Sequence, residues 1–290
     1  MPSDEGKLYI FNVMKVSLDD TMKDKKILRL GERELKLIFA FEERKRHLFT
    51  TKEAKEILGG SDASVKNVLK RLKRKKRVIR IERGKYLFAP MQAGKEGEWS
   101  EHSFVLVPEL VGSSEYYIGF LTALNYWGMT EQMPRTVFVV TNKKKNGLNV
   151  FGAQYVFVNM KIGDYSRIEI LDTGINVSTR EQTILDCLAH LEYSLGIGEV
   201  TKGINAARKE LDWKKLLNLC MKEKDVVRRR LGYLLELLGE RKHAKCLEKK
   251  TIGFSWLDPH TAKKRLAYSK KWGLILNVPK EELLEFMRGY

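Results

Sequence analysis

Hydrogen-bonding and cationic side chains recur at helical spacing between residues 61 and 74 of the chain. Serine and asparagine near the start of such a helix can bond to base edges in a DNA groove, and the lysines and arginines further along can bind phosphates. This distribution is typical of a recognition helix. We therefore predict DNA contacts from one face of the segment, at Ser64, Lys66, Asn67, Lys70, Arg71 and Arg74.

The flanking residues predict the helices that would position this face. Thr50 and Glu53 form a capping-box pattern at the start of a short helix. The glycines within residues 59–61 supply the positive φ of a tight turn, after which Ser61 or Asp62 can cap the second helix. The inward side of this second helix is an apolar stripe at i, i+3, i+4 and i+7, made of Val65, Val68, Leu69 and Leu72.

Two short runs of β-branched and aromatic residues, 78–81 and 86–88, predict a hairpin after the second helix. Arg83 and Lys85 would lie at its tip, where a cation can reach phosphates or a minor groove. With an apolar-sided helix early in the segment, residues 31–90 are predicted to form a winged helix-turn-helix domain. The cationic run 73–77 also fits a solvated helix end, because cations complement a helix C-terminus.

Positive charge is concentrated in the first third of the chain. The 290 residues hold 54 Lys and Arg against 37 Asp and Glu, a net charge of +17, and residues 1–90 hold 24 against 13, a net of +11. This imbalance favours a polyanionic partner. Three widely spaced cysteines indicate a reducing cytoplasm, and we see no apolar run typical of a signal peptide or a membrane span.

The remaining two-thirds of the chain mixes strand and helix patterns, so the predicted fold class is α+β. We expect an N-terminal arm over residues 1–30, a linker over 91–100, a mixed α/β domain over 101–200 and a mostly helical region over 201–290. Within them the patterns predict strands at 103–110, 136–141, 154–159 and 167–171, a helix over 116–127, a helix capped by Ser178 with Glu181, and a last helix after Pro279.

Residues 45–240 together resemble the AbiEi family of type IV toxin–antitoxin antitoxins, including its archaeal relatives. The most specific matches are Tyr117, Ala123, Leu124, Trp127, Gly128, Gln132, Glu181, Asp186, Arg230, Leu231, Gly232 and Tyr233. The resemblance implies a winged helix that binds inverted repeats of double-stranded DNA in its own promoter and represses it. It also implies a C-terminal part that counteracts a nucleotidyltransferase toxin. The implied DNA contacts are Ser61, Ser64, Lys66, Asn67, Lys70, Arg71, Arg83 and Lys85, with no catalytic residue and no cofactor.

A DNA-processing enzyme is the alternative class, because winged helices are also fused to nucleases. A magnesium nuclease needs clustered carboxylates and a lysine beside them. Asp164 and Glu169 come nearest to this pattern, but Leu171 stands where the lysine is needed. Asp186 and His190, at i and i+4, fit either a carboxylate–imidazole pair or a hydrogen bond on a helix surface. The sequence therefore favours a regulator over an enzyme.

Other clusters carry weaker indications. His243 and Cys246 have a ligand-like spacing, but no second pair accompanies them, so no metal site is predicted. The cationic run 222–230 fits an extension of the DNA-binding face or, as we favour, the solvated side of a helix. The aromatic residues within 116–127 fit a core better than a ligand pocket.

Overall fold

The computed structural model describes residues 30–44, 47–89, 103–150, 152–162, 168–170 and 175–287. The predicted linker, and the predicted arm up to residue 29, lie outside the described residues. The chain divides into two compact units, residues 1–109 with 149–152 and residues 110–148 with 153–290. Among the described residues, no helix combines the length and apolar composition needed to cross a membrane.

The described part of the first unit contains the predicted winged helix-turn-helix. Its helices are α1 (Glu32–Glu43), α2 (Thr51–Leu58) and α3 (Asp62–Arg74), and its strands are β1 (Leu48–Thr50), β2 (Val78–Glu82) and β3 (Lys85–Phe88). The strands form an antiparallel sheet in the order β1-β3-β2. Strand β1 was missed by the sequence patterns, because three residues are too short to show an alternation.

Local signals set the boundaries of the winged helix. The Thr50 hydroxyl accepts a hydrogen bond from the Glu53 N–H at 3.2 Å, while the Glu53 carboxylate accepts one from the Thr50 N–H at 2.7 Å. The predicted capping box is therefore confirmed. Gly59 and Gly60 both have positive φ, as predicted for the turn. The core between the helices is apolar and holds Leu37, Ile38, Phe41, Phe49, Ala54, Val65, Val68, Leu69, Leu72, Val78 and Phe88.

A mixed sheet and a group of helices make up most of the rest of the chain. The strands are β4 (Tyr116–Ile118), β5 (Thr136–Thr141), β6 (Leu148–Val150), β7 (Ala153–Asn159), β8 (Ile168–Ile170) and β9 (Asn176–Ser178), in the order β6-β7-β5-β4-β9-β8. The helices up to residue 246 are α4 (Val107–Val111), α5 (Phe120–Tyr126), α6 (Arg180–Ala189), α7 (Ile197–Ala207), α8 (Trp213–Cys220), α9 (Asp225–Leu237) and α10 (Arg241–Cys246).

The chain ends in a small sheet and a short helix. The strands are β10 (Ser255–Trp256), β11 (Ala267–Ser269) and β12 (Leu274–Leu276), in the order β10-β12-β11, and α11 (Lys280–Leu283) follows Pro279 as predicted. Helices from both sides of residue 200 share one core with this sheet, including Leu185, Val200, Leu231 and Leu274. The α+β fold class is confirmed.

Three sequence predictions in this part were wrong. Residues 103–110 form a 3-10 turn (Ser103–Leu106) and the start of α4 instead of a strand. The predicted helix over 116–127 is a strand followed by a helix, because the Tyr116–Ile118 backbone pairs with both β5 and β9. Thr179, not Ser178, caps α6 by accepting from the Gln182 N–H, since Ser178 ends β9.

Candidate nucleic-acid interface

Helix α3 separates a buried apolar stripe from an exposed polar face. The stripe residues Val65, Val68, Leu69 and Leu72 are all buried in the core of the first unit. On the other side Lys66, Asn67, Lys70 and Arg74 are exposed. Residues at i, i+3 and i+4 lie on one side of a helix, so these four side chains share a face that can enter a DNA groove.

The two predicted serines at the start of α3 take part in holding the helix. The Ser61 hydroxyl caps the helix by accepting from the Ser64 N–H at 3.3 Å. The Ser64 hydroxyl oxygen accepts from Arg33 Nη1 at 2.5 Å, and Arg33 Nη2 also donates to the carbonyl of Gly59 at 3.0 Å. Arg33 therefore fixes the turn before α3, and the Ser64 proton remains able to donate to an acceptor.

Arg71 belongs to the exposed face but is joined to a buried carboxylate. Glu34 on α1 is 1% exposed, and its Oε1 accepts from Arg71 Nε at 2.8 Å. Its Oε2 accepts from the Gly31 N–H at 3.0 Å and from the Lys75 ammonium. Since the Arg71 side chain is 48% exposed, part of it faces solvent beside Lys70 and Arg74. Glu34 thus positions one of the predicted DNA-contact residues.

Two opposing effects act on the pKa of Glu34. Burial raises it, but hydrogen bonds from Lys75, the Gly31 N–H and Arg71 outweigh burial and hold the pKa below its ordinary value of 4.5. The carboxylate therefore stays charged at neutral pH and remains the partner of both cations.

The cationic run 73–77 divides between surface and interior. Lys73 and Arg74 are exposed, as either sequence interpretation allowed. Lys75 and Arg77 are buried, so the interpretation of the whole run as a solvated helix end was wrong. Helix α3 is followed by Lys76, which has a φ of 55°, and the buried Lys75 before it donates to Glu34.

The wing is a short hairpin whose turn contains Arg83 and Gly84. Gly84 has a φ of 78°, and its carbonyl accepts from the Thr51 N–H at 2.8 Å, which fastens the wing to the start of α2. Arg83 and Lys85 are exposed, and Lys85 lies 3.2 Å from Glu82 in a half-exposed ion pair. Arg80 on β2 is also exposed. Arg80 is absent from the predicted DNA contacts, although its alternation with the apolar residues on either side is visible in the sequence.

Cations dominate the surface along α3. An open depression of about 650 Å³ is lined, among the described residues, by Asn67, Lys70, Arg71, Lys73 and Arg74. An amide surrounded by four cations can combine hydrogen bonding to bases with charge neutralisation of phosphates. This arrangement has the chemistry of a nucleic-acid interface.

The alternative enzymatic groups are not brought together in the described residues. No three His, Cys, Asp or Glu side chains there are grouped closely enough to hold a metal ion. Asp186 accepts from the Tyr117 hydroxyl and from Gln182, both at 2.9 Å, whereas His190 pairs with Glu192. The two side chains therefore form neither the carboxylate–imidazole pair nor the helix-surface hydrogen bond that the sequence left open. Asp164 lies outside the described residues.

Asp186 is a buried acid held by two hydrogen-bond donors. Burial raises its pKa to about 7, although the hydrogen bonds from Gln182 and Tyr117 act in the opposite direction. Another residue of the family resemblance, the partly buried Trp127, donates its indole N–H to the Ser178 carbonyl at 2.7 Å. These residues stabilise the second unit and do not form a second candidate site.

Part of the cationic run 222–230 is interior as well. Arg228, Arg229 and Arg230 on α9 are all buried, so the favoured interpretation as a solvated helix side was wrong for them. Arg228 and Arg229 both bond to Asp225 at 2.5 Å, and Arg230 Nη1 donates to the Leu188 carbonyl at 2.6 Å. Buried charges with such partners hold segments of the fold together and do not contribute to a solvated or DNA-binding surface.

Comparison with known families identifies the winged helix. Residues 36–89 match the model of a family described as transcriptional regulator, AbiEi antitoxin. The resemblance stated from the sequence is therefore confirmed for this segment of the chain, residues 36–89. The comparison gives no support to the archaeal relation.

Comparison with solved structures concerns the fold of the whole chain. A crystal structure of the RV2827C protein from Mycobacterium tuberculosis is similar with a TM-score of 0.67 at 12% sequence identity. The similarity covers 90% of this chain and 96% of the other. At this identity it shows a shared fold alone. No curated protein matches the chain.

Proposed function

We propose that the protein is a sequence-specific repressor that binds double-stranded DNA through α3 and the wing, and that it acts as the antitoxin of a type IV toxin–antitoxin system. The proposal rests mainly on one observation: Lys66, Asn67, Lys70 and Arg74 form an exposed face on a helix that is capped by Ser61 and whose opposite side is buried. The match of the same segment to a regulator family supports it.

The two kinds of side chain on this face have different tasks. Asn67 can form two hydrogen bonds with the edge of an adenine, and Ser64 and Lys66 lie near it on the helix to bond to neighbouring bases. Lys70, Arg71 and Arg74 would bind phosphates, with Arg83 and Lys85 doing so from the wing, and each phosphate contact releases counterions and makes affinity depend on salt. Ser61 lies at the helix start, where its backbone can approach a phosphate.

The DNA would be inverted repeats upstream of the protein's own gene. Two copies of the chain would bind the two half-sites, with a spacing of about one helical turn or a multiple of it. Binding there would repress the operon. The second unit would counteract a nucleotidyltransferase toxin encoded beside it, which co-expression of the two proteins with growth as the readout would test.

The central experiment compares binding to the upstream DNA with binding to random DNA of equal length. Wild-type protein, Asn67→Ala and Lys70→Ala are titrated by fluorescence anisotropy across a salt series. We expect Asn67→Ala to lose about 1–3 kcal/mol on the upstream DNA and little on random DNA. Lys70→Ala should weaken both alike and reduce the salt slope by about 1.

Matched controls make the outcomes distinct. Lys36→Ala, on the exposed side of α1, removes one cation of the same unit away from α3 and should leave both affinities unchanged. Equal losses on both DNAs for Asn67→Ala would exclude it as a base-reading residue. Equal wild-type affinity for both DNAs would contradict sequence-specific repression, and Mg²⁺-dependent cleavage would then be measured.

A further inference from the structure

The small C-terminal sheet has one face in the core and one face toward solvent. Trp256 and Tyr268 both lie beside Ile275 in the register of the sheet, so the three side chains share a face. Leu274 and Leu276 point to the other side and are buried in the core of the second unit. The Trp256–Ile275–Tyr268 row therefore belongs to the outward face.

Large apolar side chains are exposed on and beside this outward row. Phe254 is 51% exposed and Tyr268 is 49% exposed, and their rings meet edge to face with centroids 5.3 Å apart. Leu266, two residues before Tyr268, is 46% exposed, and Ile252, two residues before Phe254, is 87% exposed. We call Phe254, Trp256, Leu266, Tyr268 and Ile275 the aromatic face. Exposed aromatic rings on a sheet offer surfaces on which unpaired bases can stack.

Cations far outnumber carboxylates in the segment that contains most of the aromatic face. Residues 249–273 contain seven Lys and Arg against one Asp, and that residue, Asp258, is buried. Lys271 pairs with Glu236 and Glu248. No ion pair is found among the described residues for the other six cations, which are all exposed: Lys249, Lys250, Lys263, Lys264, Arg265 and Lys270. The charge around the face therefore complements a polyanion.

The segment that leads into the aromatic face is held by a buried arginine. Arg229 on α9 donates to the Ile252 carbonyl at 3.0 Å and to the Gly253 carbonyl at 3.2 Å. Its Nε donates to Asp225 at 2.5 Å, which fixes the guanidinium. Phe254 thus follows directly on an anchored backbone, and a preformed surface loses less entropy on binding than a mobile one.

We propose that the aromatic face binds single-stranded nucleic acid, with bases stacked on Phe254 and Tyr268 and phosphates on the surrounding cations. Duplex DNA is a poor ligand for such a face, because its bases are already stacked and paired inside the helix. This surface lies in a different unit from the winged helix and is independent of the function proposed above.

The test uses the full-length protein and fluorescein-labelled 12-nucleotide oligouridine and oligodeoxyuridine, which differ only in the 2′-hydroxyl. We expect both probes to bind at low salt and Phe254→Ala/Tyr268→Ala to raise Kd about fivefold or more. Phe39→Ala, which removes an aromatic that is 62% exposed in the first unit, should leave Kd unchanged. Tighter binding of oligouridine would indicate contacts to the 2′-hydroxyl, and equal binding would indicate contacts to bases and phosphates alone.

A second pair of variants tests the cations. Lys263→Ala/Lys264→Ala should weaken binding and flatten its salt dependence, whereas Lys143→Ala/Lys144→Ala, a lysine pair exposed elsewhere, should do neither. Binding that persists in Lys70→Ala/Arg74→Ala separates this site from the winged helix.

Two results would overturn the proposal. The first is no binding of either probe at low salt, and the second is wild-type affinity in Phe254→Ala/Tyr268→Ala. In the second case, a fall in the molar mass of that variant by light scattering would show that a second copy of the chain covers the face.

Discussion

Replacing Gly232 by alanine should destabilise the second unit, although alanine is the better helix former. Gly232 lies inside α9, where exchange of glycine for alanine in an open position gains about 1 kcal/mol. A Cβ on this residue would lie 2.2 Å from two ring atoms of Trp272. Ordinary contact begins at 3.4 Å, so the ring would have to move by 1.2 Å.

The ring of Trp272 has no room for that movement. It is fully buried, and its indole N–H donates to Glu236 at 2.7 Å. Overpacking of a rigid core costs typically about 1–3 kcal/mol, and this overlap belongs at the upper end of that range or above it. After subtraction of the helical gain, we expect a net loss of about 2 kcal/mol. This corresponds to a fall in Tm of about 4–8 °C.

Urea unfolding followed by circular dichroism measures the change, and Gly198→Ala is the matched control. Gly198 also lies in a helix, α7, and a Cβ there meets nothing within 4 Å. Its replacement should leave stability unchanged or raise it by up to about 1 kcal/mol. Trp272→Phe makes room for the new methyl group, so the double variant should lose less than the sum of the two single losses. A Gly232→Ala protein as stable as wild type would show that the Trp272 ring can move aside without cost.

Three further perturbations test the buried polar groups and the cap. Glu34→Ala should cost about 3 kcal/mol of unfolding free energy, because Lys75 loses its buried partner. Since the pKa of Glu34 lies below 4.5, wild-type protein should be more stable than the variant at neutral pH, and urea titrations should show this difference vanish as the pH falls below that value. For Asp186 the pH dependence of stability has the opposite sign. Its pKa of about 7 exceeds the ordinary 3.8, so wild-type stability should fall as pH rises from about 4 to 7. An equal fall in the Asp186→Asn variant would contradict this. Thr50→Ala should lower the stability of the first unit by about 1 kcal/mol through loss of the cap, and an unchanged unfolding midpoint would exclude that role.

The winged helix could be predicted from the sequence because its signals are local. The cap at Thr50, the glycines before α3 and the stripe from Val65 to Leu72 act within one or two helical turns. Residues 116–127 show the opposite case. Their apolar pattern fits a helix, but Tyr116–Ile118 forms a strand because β5 and β9, which lie later in the chain, supply its hydrogen bonds. Helical spacing likewise predicts which residues of the candidate site share one face of α3. It does not predict the ion pair between Arg71 and Glu34, because this pair forms only when α1 packs on α3.

The three consecutive arginines of α9 explain why the number of Lys and Arg residues in the sequence overestimates the positive charge on the surface of the second unit. Arg228 donates to the Leu247 carbonyl, Arg229 to carbonyls of the loop before β10, and Arg230 to the Leu188 carbonyl, so three distant segments are held by one helix. No periodicity reveals this, because the acceptors are backbone oxygens, which every sequence carries. Three formal charges are thus withdrawn from the surface, and the exposed positive charge of this unit is concentrated more strongly around residues 249–270. Helix α9 therefore anchors the aromatic face and also increases the difference in positive charge between this face and the rest of the second unit. For this reason a polyanion whose affinity depends on salt should bind this face in preference to the rest of the unit.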